Sequence, residues 1–146
     1  MLFFHSQATF IVNIETRAMK KMKKVLLIFD SHEELDFIEA NLSENGFQIT
    51  KTDNLADGLV AAEKIIPDLI VVNTMDTEAD LQEFSNRVKT ERLKDVSILS
   101  LIELEDYLNV SNPQHFVIKP VRPKLLLSVI RSIMNHEKVN WLPAVH

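Results

Sequence analysis

Four polar residues stand at or near the ends of short apolar runs, and together they could form one chemical site. They are Asp30, Asn73, Ser100 and Lys119. A carboxylate, an amide, a hydroxyl and an ammonium group suit a hard cation and an anion together, because oxygen ligands bind Mg²⁺ and lysine binds phosphate. Whether the four side chains meet depends on the elements that carry them.

The apolar runs are rich in β-branched residues and alternate with amphipathic segments of helical length, which predicts parallel strands joined by crossover helices. Strands are predicted at residues 25–29, 47–51, 69–72, 96–102 and 115–118. In an open parallel sheet, ligands bind beyond the carboxyl ends of the strands, near the point where strand order reverses. The four polar residues are therefore expected to converge on one cleft.

Polar residues at fixed spacing predict where the helices begin. Ser31 followed by Glu34 resembles a capping box, and Asn54 followed by Asp57 predicts a second capped start. A short helix around residues 104–108 is predicted before the last strand. Each of the first two helices then follows directly on a strand.

The composition indicates one globular domain and excludes several kinds of chemistry. Hydrophobic residues make up 46% of the 146 residues and no cysteine is present, so disulfides and thiolate sites are excluded. The net charge of −5 argues against a nucleic acid partner. No apolar stretch approaches the roughly 20 residues that span a bilayer, and no secretory signal is visible, so neither a membrane partner nor export is expected. The expected location is the cytoplasm.

The domain itself is predicted to span residues 22–136. Residues 1–21 are expected to be an N-terminal extension that is either disordered or, over residues 10–14, an added edge strand. Residues 137–146 are expected to form a short C-terminal tail.

The order and spacing of four segments resemble the receiver domain of bacterial two-component response regulators, over about residues 24–135. The segments are 25–30 (VLLIFD), 67–73 (PDLIVVN), 98–100 (ILS) and 117–120 (VIKP). The resemblance implies an α/β, flavodoxin-like, doubly wound sheet of five parallel strands in the order 2-1-3-4-5, with helices on both faces. It also implies that Asp30, Asn73, Ser100 and Lys119 form the phosphorylation pocket.

This pocket departs from the family pattern and is interpreted as degenerate. Asn73 stands where the family has its phosphorylated aspartate, and an amide is a far poorer nucleophile than a carboxylate. Phe29 replaces the first of two acidic metal ligands, so Asp30 would bind Mg²⁺ only weakly and no other cofactor is expected. Leu101 replaces a small residue and should narrow the cleft.

Each pocket residue also has a structural interpretation. Asp30 could cap the helix that follows it, and the Asn73 amide could bond to neighbouring backbone. Lys119 could pair with Asp30 in place of a phosphoryl group, and Ser100 could be a buried hydroxyl rather than a moving switch.

The leading functional prediction is a stand-alone, non-enzymatic receiver-like module that works through contacts with protein partners of a signalling pathway. The resemblance places the partner surface, and a homodimer contact, on the fourth helix, the fifth strand and the fifth helix. Its residues are Tyr107, Phe116, Val117 and Leu127.

Two alternatives stay open. One is a phosphoacceptor response regulator in a two-component phosphorelay that uses Asp76 or Asp30 instead of residue 73. The other is an α/β domain whose altered cleft binds a small molecule; a closed pocket filled by Phe29 and Leu101 would count against it.

Overall fold

The computed structural model describes residues 22–107 and 115–135, and these form a parallel β-sheet with helices on both faces. The strands run in the order β2-β1-β3-β4-β5. They are β1 (Lys24–Phe29), β2 (Gln48–Thr52), β3 (Leu69–Asn73), β4 (Ser97–Ile102) and β5 (His115–Ile118). This confirms the predicted fold class and strand order, and each predicted strand lies within one residue of its observed bounds.

Helices connect consecutive strands, as parallel pairing requires. They are α1 (His32–Glu44), α2 (Leu55–Ile65), α3 (Glu78–Val88), the single turn α4 (Leu104–Tyr107) and α5 (Pro123–Met134). The predicted cap of α2 is confirmed, because the Asn54 side chain accepts the Asp57 N–H at 2.8 Å. The turn α4 lies where a short helix was expected.

Alternate residues of β1 enter two separate cores. Val25, Leu27 and Phe29 pack with α1 and α5 on one face of the sheet. Leu26 and Ile28 pack with α2 and α3 on the other face. All five are fully buried, which explains why the strand reads as a continuous apolar run rather than an alternating one.

Gly58 lets α2 approach β1 closely. A Cβ at this position would lie 2.9 Å from Cγ1 of Ile28 and closer still to its Cδ1. Since real Cβ atoms do not tolerate such separations, a glycine is needed at this helix–sheet contact.

The predictions for residues 1–21 and 137–146 lie outside the described residues. Within residues 22–107 and 115–135, every helix is too short or too polar to cross a membrane.

Candidate functional site

The cleft lies at the carboxyl ends of the strands, where β1 and β3 stand side by side between α1 and α3. Its volume is about 580 Å³. Asp30, Asn73, Ser100 and Lys119 all line it, each contributed by a different strand or by the residue that follows one. The structure thus brings together the four residues that the sequence singled out, although their partners differ from those expected.

Asn73, the last residue of β3, is bonded to a carboxylate from α1. Its side chain is 2% exposed, and Nδ2 donates a hydrogen bond to Oε2 of Glu34. The predicted capping box is therefore wrong: Ser31 occupies the N-cap position without a side-chain cap bond, and Glu34 reaches across the cleft instead. The amide also finds a side-chain partner rather than the neighbouring backbone that was expected.

Asp30 connects two loops at the mouth of the cleft. Its Oδ2 accepts the Met75 N–H at 2.7 Å, and its own N–H donates to the Asn73 carbonyl oxygen at 3.2 Å. The expectation that Asp30 caps α1 is wrong, because the carboxylate bonds to the loop after β3. This bond holds the β3–α3 loop against the end of β1.

Lys119, after β5, pairs with a different acid from the one expected. Its Nζ lies 3.6 Å from Oε1 of Glu103, the residue between β4 and α4. The predicted pair between Lys119 and Asp30 is wrong, since these two groups are not within 4 Å. The ammonium group is directed to the β4 side of the cleft.

Phe29 is a core residue, and the donor set does not fit a conventional magnesium site. Its side chain is fully buried with α1 and α5, so it neither lines the cleft nor offers an oxygen. Among the residues that the structure describes, no group of three or more acidic, histidine or cysteine side chains is placed to hold a metal ion. Leu101 does border the cleft, as expected.

His115 is the first residue of β5, an edge strand of the described sheet, and it pairs with Leu99 of β4. Burial and, secondarily, the positive charge of Lys89 lower the pKa of its imidazole below the ordinary 6.5. Its Nδ1 is buried and has no hydrogen-bond partner among the residues that the structure describes. The histidine therefore belongs to the packing of β5 and not to the cleft.

Comparison with known proteins identifies the fold. No family model and no curated protein matches the chain. Solved structures do match, among them the chemotaxis response regulator CheY4 of Vibrio cholerae, with 21% identity and a TM-score of 0.64 over 77% of this chain and 99% of that one. The receiver domain of a signal transduction histidine kinase from Syntrophus aciditrophicus matches with 19% identity and a TM-score of 0.68 over 83% and 98%. A response regulator from Desulfuromonas acetoxidans matches with 19% identity and a TM-score of 0.65 over 78% and 98%. The chain has the receiver fold.

The receiver fold places the predicted interface residues at different depths. Val117 is fully buried in the core, so its assignment to a surface contact is wrong. Phe116 is partly buried, and Leu127 is partly buried against the same core as Val117. Tyr107 ends α4, and its side chain lies outside the described part of the chain. Of the three residues whose side chains are described, Phe116 and Leu127 keep some accessible surface.

Sequence reasoning missed the two acidic partners of Asn73 and Lys119, which are Glu34 and Glu103. Glu34 was assigned to a local cap because it stands three residues after a serine, and Glu103 follows a strand with no other distinguishing signal. The one usable signal was their position at strand-to-helix junctions of a parallel sheet, which places both near the carboxyl edge.

Proposed function

We propose that this chain is a receiver-like signalling module that acts through protein contacts, without an aspartyl phosphate and without an enzymatic activity of its own. One observation carries the proposal: the side chain at the phosphoacceptor position of the fold is a buried amide, bonded to Glu34. The Asn73 side chain has no carboxylate oxygen to attack a phosphoryl group, and its amide nitrogen already donates to Glu34.

The neighbouring groups support the same function. Lys119, which would neutralise a phosphoryl group, pairs with Glu103, and the Asp30 carboxylate accepts a backbone N–H. The Glu34 carboxylate adds negative charge beside Asn73, where an incoming phosphoryl donor would have to bind. We infer that partners recognise this domain in one conformational state rather than through a phosphorylation cycle.

The test is incubation of the full chain with Mg²⁺ and acetyl phosphate, followed by intact mass spectrometry and amide NMR spectra. The wild-type protein should gain no phosphoryl group, and no amide of the cleft should shift on addition of the donor. Asn73→Asp alone would place two carboxylates in contact, so the informative variant combines Asn73→Asp with Glu34→Gln. This double variant should become labelled if the rest of the pocket is competent, while a labelled wild-type chain would disprove the proposal.

A phosphoacceptor function at another residue is the second candidate, because Asp76 is exposed and lines the same cleft. It predicts a wild-type mass gain that Asp76→Asn or Asp30→Asn abolishes. Peptide mass spectrometry of the labelled chain would assign the residue.

A small-molecule site is the third candidate. A closed pocket filled by Phe29 and Leu101 would count against it. The cleft is instead open, with a volume of about 580 Å³, and Phe29 lies in the core. A ligand that raises the melting temperature and shifts the Ser100 amide would favour it.

We also propose that the protein acts in the cytoplasm and that α4, β5 and α5 form its surface for a partner or for a homodimer. Phe116→Ala and Leu127→Ala should weaken self-association, measured by sedimentation velocity, if that surface is used.

A further inference from the structure

A groove with an apolar wall opens beside the cleft, and the two form one continuous depression. The groove has a volume of about 330 Å³ and is lined by Phe37 and Ile38 of α1 and by Pro120 and Val121 after β5. It shares Leu101 and four polar residues with the cleft. The shared polar residues are Glu34, Asn73, Glu103 and Lys119.

Large apolar side chains at the rim of this depression are exposed. Phe37 is 65% exposed and Met75, in the β3–α3 loop, is 93% exposed. Exposure of a phenylalanine and a methionine at the edge of one depression is typical of a protein-binding surface, since each would otherwise favour burial.

Negative charge surrounds the same depression. Six carboxylates and one ammonium group, that of Lys119, line the cleft. The carboxylates are those of Asp30, Glu34, Asp76, Glu78, Glu103 and Asp106. Lys119 offsets one of these six carboxylates, which leaves an excess of negative charge along the lining. The excess of negative charge therefore selects for a cationic occupant.

We propose that this depression binds a segment of a partner protein in which a lysine or arginine stands next to an aliphatic or aromatic residue. The apolar side chain enters the groove over Phe37, Leu101 and Val121, and the cationic side chain reaches the carboxylates at the mouth of the cleft. A free divalent cation is a weaker match, because the described acidic side chains form no metal-binding group. The inference rests on the proposed function, since it assigns a partner chemistry to a domain that works through protein contacts.

The experiment is selection of random twelve-residue peptides displayed on phage against the full-length chain. Selected peptides should be enriched in Lys or Arg beside Leu, Ile, Phe or Met. One such peptide, labelled with a fluorophore, is then titrated with the protein by fluorescence polarisation. Raising the ionic strength from about 0.05 M to about 0.5 M should weaken its binding about tenfold, because screening removes much of the attraction between exposed charges.

Two variants test the two halves of the surface. Asp76→Asn combined with Asp106→Asn should weaken binding about tenfold and reduce its salt dependence, whereas Phe37→Ser should weaken binding about tenfold and leave the salt dependence of the wild type. The matched control, Glu44→Gln with Glu63→Gln, removes the same charge from exposed positions nearer the other edge of the sheet and should change the affinity less than about twofold.

Acidic or uncharged selected peptides, the absence of any selected peptide, or equal effects of the two double variants would overturn the inference. Phosphoryl labelling of the wild-type chain disproves the proposed function whatever the peptides do. If the wild-type chain gains no phosphoryl group but the selected peptides bind at the α4–β5–α5 surface, this inference is overturned and the proposed function stands.

Discussion

The end of β3 shows how one residue changes the electrostatics of a whole site. Asn73 is almost completely buried, and its amide donates to the Glu34 carboxylate. An aspartate at the same position would face that carboxylate directly, and two carboxylates in contact cannot both stay ionised without a large energetic cost. The pair Asn73 and Glu34 is therefore a self-consistent unit in which each residue depends on the other.

Removal of Glu34 should destabilise the fold through Asn73. Glu34→Ala leaves the buried Nδ2 of Asn73 without its acceptor, and an unsatisfied buried donor costs about 1 to 3 kcal/mol. The free energy of unfolding in urea measures the loss. Glu33→Ala, one residue away and exposed, is the matched control and should change stability by less than about 0.5 kcal/mol. Equal losses in the two variants would mean that the contact contributes nothing.

His115 should make the fold sensitive to mild acid. Because burial and Lys89 lower its pKa in the folded state, the unfolded chain binds a proton more readily as the pH falls through the ordinary value of 6.5. The free energy of unfolding should therefore decrease between about pH 7 and about pH 5, with no contribution from this residue at higher pH.

Urea unfolding curves of wild type and His115→Gln across that range measure the effect. The variant should lose part of the pH dependence, and Lys89→Gln should reduce it by a smaller amount, because it removes the secondary cause. Identical slopes for His115→Gln and wild type would contradict the prediction.

At the scale of the elements, α2 depends on a glycine that helix propensity disfavours. In an exposed helix, Gly58→Ala would stabilise by about 1 kcal/mol, but here the added methyl group overlaps the buried side chain of Ile28. Overpacking should dominate and lower the free energy of unfolding by about 1 to 3 kcal/mol.

A double-mutant cycle tests the cause of that loss. Ile28→Val removes the Cδ1 atom that the new methyl group would meet, so Gly58→Ala should cost less in the Ile28→Val background than in wild type. Equal costs in both backgrounds would show that overlap with Cδ1 of Ile28 is not the cause of the loss.

The elements were largely predictable because their signals are local, and the contacts of the site were not. The cap at Asn54 needs only a residue three positions ahead, and strands such as β1 and β3 need only a run of five or six largely apolar residues. The bond between Asn73 and Glu34 joins residues 39 positions apart. It depends on sheet register and on the direction in which α1 leaves β1, and a short segment of sequence predicts neither.

At the scale of the whole molecule, the sheet order places β1 and β3 at the centre, with apolar residues packed on both faces. Amides of these two strands should exchange hydrogen only on global unfolding. Amides of β2, at one edge of the described sheet, should exchange faster, as measured by NMR in deuterium oxide. Equal protection of β2 and β1 would contradict this expectation.

Phe29 makes a second acid beside Asp30 difficult to introduce. Its ring fills the core between the sheet and the helices α1 and α5, and it is completely shielded from water. Truncating a buried phenylalanine costs about 3 to 5 kcal/mol, and an aspartate there would in addition bring a charge towards apolar neighbours. A single substitution would place an acid at position 73, but an acidic pair at positions 29 and 30 would first require a redesigned core.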